Sequence, residues 1–190
     1  MYLFEHHPLT LYDLHKKQKP LVMTNLTKSW RINQLLVDRV TTYHPYIIRE
    51  GDRPDIIAEK MYGDSRLDWV ILLTNNIIKP RWEWPLMYSE FVAYVKGKYG
   101  STSAAMATVH HYEFIAQTLT KTVRDGELFV IPEVIYEIDA TTYAATASNK
   151  RREVDSFVYE ERKNEDLRNI KILDPNFIPQ IKSLAENVFD

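Results

Sequence analysis

The stretch RPDIIAEKMYGDSRLDWVILLTNN, residues 53–76, constrains the fold more than any other part of the chain. Pro54 suits the first turn of a helix, where its missing N–H has no partner to lose, and Asp52 is positioned to cap that helix. Gly63 is placed to end the same helix in the left-handed conformation. The stretch therefore predicts two short helices joined by a tight turn.

The first of these helices is predicted to bury Ile56, Ile57 and Met61 along one face. A short strand is predicted just before it, at residues 46–48, because aromatic and β-branched side chains occur there and Gly51 ends the run. The organised centre of the chain is thus expected to read strand, helix, turn, helix.

The second helix is predicted to open at Ser65, with Asp68 three residues later completing a capping box. Its residues 69–73 are apolar almost all round, which indicates a helix buried on most sides. Asn75 and Asn76 tolerate positive φ and can end it.

The N-terminal segment carries two weaker helical patterns. One begins with the capping-box-like pair Thr10 and Asp13 and ends before Pro20; the other covers residues 29–40. Helices this short are not stable alone in water, so both are expected to lie on another surface.

The second half of the chain favours strands and then helices. Runs at residues 112–123 and 127–138 flank Asp125-Gly126, a hairpin-turn signal, and Pro132 suggests that the second run is an edge strand. Small polar residues at 101–108 predict a linker. The mixed charges of residues 151–168, which include Glu160 and Glu161, predict a solvated helix face, and a clean apolar stripe predicts a tail helix from about residue 178.

Composition excludes several classes of function. The chain has 190 residues, a formal net charge of -2 and no cysteine. Near-neutral charge argues against binding nucleic acid through phosphate contacts, and the lack of cysteine removes disulfides, thiolate metal sites and cysteine nucleophiles. No targeting segment is visible, and the longest apolar run is far too short to span a membrane. We expect a protein that is assembled in the cytoplasm.

Catalytic, cofactor and metal motifs are not found. The candidate metal ligands are the adjacent pairs His6-His7 and His110-His111, but neighbouring side chains point apart on a strand and about 100° apart on a helix. We therefore predict surface histidines, with no metal site, no cofactor and no catalytic residue. The aromatic run RWEWP, residues 81–85, favours a core or a protein interface over a ligand platform.

Residues 46–77, YIIREGDRPDIIAEKMYGDSRLDWVILLTNNI, resemble a LysM-type module. Together with the following Pro-Trp loop, the opening MYLFEHHP and MTNLTKSW, and the late NEDLRNIKIL, they are similar to the baseplate wedge proteins of T-even-like contractile-tailed bacteriophages. LysM modules close with a second strand after a Pro-Gly turn. That glycine is missing here, so the closing strand is expected to be very short, absent or supplied from elsewhere.

The patterns and the resemblance together predict an α+β fold. Its centre is a small LysM-like β-α-α(-β) core, with an extended N-terminal arm, a β-hairpin segment and a C-terminal amphipathic helix. Four segments are predicted: residues 1–42 as the arm with short helices, 43–100 as the module and following helix, 101–148 as linker and hairpin, and 149–190 as the C-terminal helical segment.

The resemblance implies a structural, non-enzymatic component of the virion's contractile tail that functions in tail assembly. It implies a protein that joins neighbouring baseplate wedges, in multiple copies, and that contacts the central wedge bundle and the sheath-initiating wedge subunit. Side chains expected to contact these partners come from the aromatic loop and the tail helix: Trp82, Trp84, Phe177, Ile178, Ile181, Leu184 and Val188.

Two alternatives remain open at the level of sequence. A LysM-type module could bind peptidoglycan through N-acetylglucosamine, with Trp82 and Trp84 as stacking residues. A wall-degrading enzyme subunit is the weaker alternative, because no acid/base or metal constellation accompanies the module.

Overall fold

The computed structural model describes residues 7–13, 20–28, 42–124 and 127–187. Helices and strands are mixed throughout, which confirms the predicted α+β class. The chain forms two compact units: unit 1 holds the residues up to Pro85 and from Leu167 onward, and unit 2 holds Leu86–Asp166. Unit 2 is therefore an insertion in the sequence of unit 1. The four segments drawn from sequence stay a prediction.

Elements are labelled in chain order. Unit 1 begins with three strands and three helices: β1 (Leu9–Tyr12), β2 (Leu21–Thr24), β3 (Tyr43–Ile47), α1 (Pro54–Tyr62), α2 (Asp68–Thr74) and α3 (Pro80–Glu83). Unit 2 contains α4 (Tyr88–Tyr99), α5 (Thr102–Ala107), β4 (Val109–Gln117), β5 (Thr120–Arg124), β6 (Glu127–Ile131), β7 (Val134–Ile138), α6 (Ala140–Ala145), β8 (Arg151–Asp155) and α7 (Ser156–Asp166). Unit 1 is completed by β9 (Asn169–Leu173) and α8 (Ile178–Asn187).

Strand β3 confirms the predicted first strand and pairs antiparallel with β9, which lies far along the chain. The N–H of Ile48 donates to the carbonyl of Arg168 at 2.9 Å, so these two residues form a hydrogen-bonded pair. Because such pairs alternate along an antiparallel ladder, Pro45 opposite Lys171 falls at a position that needs no N–H. The proline is tolerated in β3 for this reason.

The ends of α1 lie close to the predicted positions. Pro54 occupies its first turn, and Gly63 ends it with φ 68°. The predicted cap was wrong, however: the N-cap residue is Arg53, with no side-chain cap, because Asp52 stands one residue too early. The Asp52 carboxylate accepts instead from the Tyr46 hydroxyl at 2.8 Å, which ties the loop to β3.

Two further details of the helical pair differ from expectation. Ile56 is 46% exposed, whereas Ala58 is fully buried, so the buried face of α1 is rotated by one helical position. The second helix opens with a 3₁₀ turn, Ser65–Leu67, capped by the side chain of Asp64, and α2 itself begins at Asp68. The predicted start at Ser65 is therefore a turn early.

Asn75 attaches the end of α2 to β9. Its side-chain Nδ2 donates to the Lys171 carbonyl at 2.8 Å, and its Oδ1 accepts from the Lys171 N–H at 2.7 Å. The same Nδ2 donates to the carbonyl of Ile71, one turn back in the helix. Asn76 then has φ 54°, as predicted for a stop signal. One amide thus satisfies both backbone groups of Lys171 that point away from β3.

The core of unit 1 is built from α1, α2, β9 and α8. Its buried side chains are Ile48, Ile57, Ala58, Leu67, Trp69, Val70, Ile71, Ile170, Ile172, Leu173, Ile178, Ile181 and Ala185. The apolar second helix is buried as predicted, and the tail helix α8 begins at the predicted residue.

The start of the chain forms a hairpin where a helix was predicted. Residues of β1 and β2 pair antiparallel, from Leu9 opposite Thr24 to Tyr12 opposite Leu21. The helix starting at Thr10 was therefore wrong, because the alternating sequence LTLY has the period of a strand and this outweighs the capping-box signal. The other predicted helix, at residues 29–40, lies outside the described residues.

Unit 2 is organised around a long hairpin. Strand β4 lies between β7 and β8 in a three-stranded antiparallel sheet, and β5 pairs with β6 beyond it. This confirms the predicted hairpin, although its turn residues Asp125 and Gly126 lie outside the described residues. Pro132 falls between β6 and β7 rather than inside a strand.

A small-residue segment is helical where a linker was expected, and a second such segment is helical as well. The segment at residues 101–108 contains α5, and Ser101 caps it by accepting from the Ala104 N–H at 3.0 Å. The segment from Ala140 contains α6, capped by Asp139. Alanine has the highest helix propensity, and serine and aspartate are favoured N-caps, so these segments carry signals that the linker prediction overlooked.

Glu160 on α7 is buried, which corrects its assignment to a solvated face; Glu161 beside it is exposed. The Glu160 carboxylate accepts from the Lys98 ammonium and from the hydroxyls of Tyr99 at 3.0 Å and Tyr94 at 3.3 Å. Burial alone would raise the pKa of Glu160, but these hydrogen bonds outweigh it and lower the pKa below 4.5.

We expect Asn75→Ala to lower the free energy of unfolding by about 2–3 kcal/mol, because it leaves the N–H and carbonyl of Lys171 without their amide partner. Urea denaturation of the full chain measures this. Asn76→Gly is the matched control, since glycine accepts the positive φ of Asn76, and it should change stability by only a few tenths of a kcal/mol. Equal effects of the two variants would contradict the assigned role.

We expect Glu160→Gln to destabilise the protein by about 1–3 kcal/mol at pH 7, because charge-assisted hydrogen bonds are lost. A folded-state pKa that is lowered contributes stability above its ordinary value of 4.5 and loses it as the pH falls further. The difference from wild type should therefore shrink below pH 4.5 in denaturant unfolding curves. Glu161→Gln, an exposed neighbour, should show little effect at any pH; a constant difference for Glu160→Gln would contradict the assigned pKa.

Candidate interaction surfaces

Among the exposed apolar side chains of the described residues, groups of three or more lie on the β1–β2 hairpin and on the β5–β6 hairpin. Single ones lie on α3, at Trp82, and on α8, at Leu184. No group of three or more histidine, cysteine or acidic residues in the described part of the chain is arranged to hold a metal ion. No described helix is long and apolar enough to cross a membrane.

The β1–β2 hairpin is apolar on both faces. Alternate residues of a strand point to opposite sides, so its exposed apolar side chains divide into two sets. One set is Leu9, Leu11 and Val22, and the other is Tyr12, Leu21 and Met23. Neither strand, LTLY or LVMT, contains a charged residue. A two-stranded hairpin alone is marginally stable in water, so burial of these faces would stabilise it.

The β5–β6 hairpin exposes three apolar side chains on one of its faces. Val123 lies opposite Leu128, and Lys121 lies opposite Val130, which places these four side chains on the same side. Val123, Leu128 and Val130 are 70%, 61% and 50% exposed. Thr120 and Ile131, which is 43% exposed, point to the other side. The face of Val123, Leu128 and Val130 is therefore the more apolar of the two described sides.

The two tryptophans of the RWEWP run behave differently. Trp82 on α3 is 72% exposed, with the Arg81 guanidinium 5.8 Å from its ring. Trp84 packs against the core of unit 1, and its indole N–H donates to the Asp52 carbonyl at 3.1 Å. The carboxylate of Glu83 accepts from two backbone N–H groups of the preceding loop and so positions α3. Trp82 alone of this pair presents an open surface.

The tail helix α8 turns most of its apolar stripe inward. Ile178 and Ile181 are buried in the core of unit 1, and Phe177 packs against that core. Leu184 is 53% exposed on the other side of the helix. Val188 lies outside the described residues. The return of the chain through β9 gives the stripe a surface within its own unit, which the sequence pattern does not reveal.

His110 and His111 form a pair that was predicted to point apart. The ladder between β4 and β8 shifts register between Val109 and His111, as in a β-bulge. The two Nδ1 atoms are 2.9 Å apart, and the His110 ring stacks on Tyr159 with centroids separated by 3.6 Å. A bulge can place consecutive side chains on one side of a strand, so the regular alternation assumed from sequence fails here.

Beside this pair lies a buried carboxylate, Glu113. Arg152 Nε and Arg162 Nη1 each donate to it at 2.7 Å, and Arg152 also contacts Glu133 at 3.0 Å. Burial alone would raise the pKa of Glu113, but the two guanidinium groups outweigh it and hold the pKa below its ordinary value. Glu113 therefore stays ionised at neutral pH. No pattern in the sequence indicated that this carboxylate is buried and paired, because its partners come from β8 and α7.

Comparison with known proteins gives one family. The model of base plate wedge protein 53 matches residues 9–183, which spans both units and confirms the resemblance to baseplate wedge proteins. No curated protein sequence matches the chain. The family is a structural component of the phage tail baseplate, and so of the virion tail, where it associates with other baseplate components. The chain belongs to the base plate wedge protein 53 family.

Proposed function

We propose that this protein joins neighbouring wedges of the baseplate and contacts the central wedge bundle and the sheath-initiating wedge subunit. The observation that carries the proposal is the uncharged β1–β2 hairpin, whose two faces both expose leucine, valine, methionine or tyrosine side chains. Within the described part of the chain nothing covers them. A structural assembly is the setting in which such a hairpin becomes buried.

The energetics favour insertion of this hairpin between partner surfaces. Fully burying one leucine or valine side chain is worth about 1.5–3 kcal/mol. Leu9, Leu11 and Val22 on one face are each more than 60% exposed. Contact with a single partner would bury one face and leave the other in water. The hairpin is therefore matched to a junction at which two surfaces meet.

The second hairpin supplies a separate contact. The β5–β6 hairpin belongs to unit 2, whereas β1–β2 belongs to unit 1. Its apolar face is bordered by Lys121, which suits a partner surface with an acidic rim. Two contact surfaces on two units are what a protein that joins wedges requires.

The core of unit 1 is closed by contacts within that unit. The Gly63 cap, the Asn75 bonds to Lys171 and the core of α1, α2, β9 and α8 hold it together. Of the expected contact residues that the structure describes, Trp82 and Leu184 are exposed, and we include both in the proposed contact surface. Trp84, Phe177, Ile178 and Ile181 act as core residues in this proposal.

Peptidoglycan binding is a second candidate. The elements β3, α1, α2 and β9 follow the order strand, helix, helix, antiparallel strand, with the closing strand supplied from beyond unit 2. This order is the one expected of a LysM-like module. Retention of the chain on purified peptidoglycan, lost on Trp82→Ala, would favour sugar binding. We expect no retention.

The joining role predicts that Leu11→Asp reduces assembly without unfolding unit 1. A carboxylate on the apolar face of β1 must be desolvated in the junction, which we expect to weaken co-assembly at least tenfold, or by about 1.4 kcal/mol or more. The measurement is the amount of each variant that co-purifies with wedge subunits expressed together, with circular dichroism as a check on folding.

Ile56→Asp is the matched control for this experiment. Ile56 is an exposed isoleucine on α1 and belongs to neither hairpin, so its replacement should leave co-assembly unchanged. Wild-type co-assembly of Leu11→Asp would count against the hairpin as the contact. Loss of co-assembly with both variants would point to a general folding defect.

A further inference from the structure

The strands β1 and β2 lack the residues that usually protect the edge of a sheet. Edge strands are commonly kept from pairing with other chains by charged residues or by proline. Each of the strands β3 to β9 contains at least one such residue, for example Pro45 in β3, Lys121 in β5 and Glu137 in β7. Among the described strands, only β1 and β2, with the sequences LTLY and LVMT, contain neither.

The β3–β9 sheet of the same unit is closed along both of its edges. Pro45 occupies a position of β3 whose backbone points away from β9, so it presents no N–H at that edge. At the opposite edge, the Asn75 side chain bonds to both the N–H and the carbonyl of Lys171. These groups hinder the addition of a further strand to this sheet.

The register of the β1–β2 hairpin shows which of its backbone groups face outward. The N–H of Asn25 donates to the carbonyl of Pro8 at 2.8 Å, so these two residues form a hydrogen-bonded pair. Such pairs alternate along an antiparallel ladder, which places Val22 and Thr24 at positions that make no hydrogen bond to β1. Their N–H and carbonyl groups therefore lie along the outer edge of β2. No described strand pairs with that edge.

The edge of β2 is more open than the edge of β1. Strand β1 lies between His7, which is buried, and the charged residue Asp13, and both of these make other contacts. Strand β2 is followed by Asn25, whose N–H is directed back toward β1. Pro20, which has no N–H, bounds the start of the same edge. The open stretch of β2 is thus Leu21–Thr24.

We propose that another baseplate component adds an extended strand to the outer edge of β2. This contact rests on the joining role proposed above and specifies how one partner is held. The N–H and carbonyl groups of Val22 and Thr24 bond to the backbone of the added strand. A third strand also stabilises the hairpin, because two strands alone are only marginally stable in water.

The two apolar faces of the hairpin determine which side chains the added strand carries. Side chains of neighbouring strands lie next to each other on each face of a sheet, so the added strand meets Val22 on one face and Leu21 and Met23 on the other. A charged side chain there would lose water without gaining an ionic partner, because neither strand of the hairpin is charged. The partner segment is therefore uncharged and carries aliphatic side chains on both faces.

Proline and alanine at the same position separate the loss of an N–H from the loss of a side chain. Thr24→Pro removes the outward N–H of β2, whereas Thr24→Ala keeps it. We expect co-assembly with wedge subunits expressed together to be at least tenfold weaker for Thr24→Pro than for Thr24→Ala. Leu9 lies opposite Thr24 and is the matched control, because its N–H faces outward from β1. Leu9→Pro should co-assemble to the same extent as Leu9→Ala.

Hydrogen exchange of single amides in the wild-type chain gives a second measurement that needs no variant. Mass spectrometry with electron-transfer fragmentation resolves the amides of the two strands. In assembled wedges, we expect the amides of Val22 and Thr24 to exchange at least tenfold more slowly than those of Leu9 and Leu11, which lie on the edge of β1.

Strand addition is overturned if Thr24→Pro co-assembles as Thr24→Ala does, if proline is equally harmful at Leu9 and Thr24, or if assembly protects both edges equally. Protection of the Val22 and Thr24 amides in the unassembled chain would also overturn it, because this chain or a second copy would then supply the strand. If Leu11→Asp weakens co-assembly while Thr24→Pro matches Thr24→Ala, strand addition fails and the joining role stands. Wild-type co-assembly of Leu11→Asp removes the joining role itself.

Discussion

The two hydrogen bonds between the Asn75 amide and the backbone of Lys171 join parts of the chain that lie far apart in sequence. They attach the end of α2 to β9, and β9 in turn pairs with β3. This closure brings α8 back onto the core, so that Ile178 and Ile181 are buried. Without it, α1 and α2 would lack the surface that buries their apolar sides. Unit 2 is inserted between α3 and β9 without interrupting that core.

The exposed side chains of the two hairpins contrast with the buried side chains of this closed core. The apolar side chains of α1, α2, β9 and α8 supply a buried core, whereas six apolar side chains of β1 and β2 are exposed. Their uncharged sequence suits association with other baseplate components, which the family membership establishes in general terms.

Structure that depends on neighbouring residues could be predicted from the sequence, but contacts between distant segments could not. Pro54 and Gly63 act through their own backbone geometry, so both ends of α1 were predicted, apart from the identity of its N-cap residue. The pairing of β3 with β9, the bulge at His110 and the burial of Glu160 depend on segments distant in sequence, and no local pattern encodes them. The same limit applies to the residues that were expected to contact partners. An apolar stripe predicts that a helix face is buried, but Ile181 packs on its own unit while Leu184 stays exposed.

Hydrogen exchange followed by mass spectrometry, on the unassembled chain and on the same chain within baseplate wedges, tests the central claim most directly. We predict that amides of β3, β9 and α2 are protected in both states, because they belong to the closed core. Amides of β1 and β2 should exchange rapidly in the unassembled chain and become protected on assembly. Equally rapid exchange of β1 and β2 in both states would contradict the account.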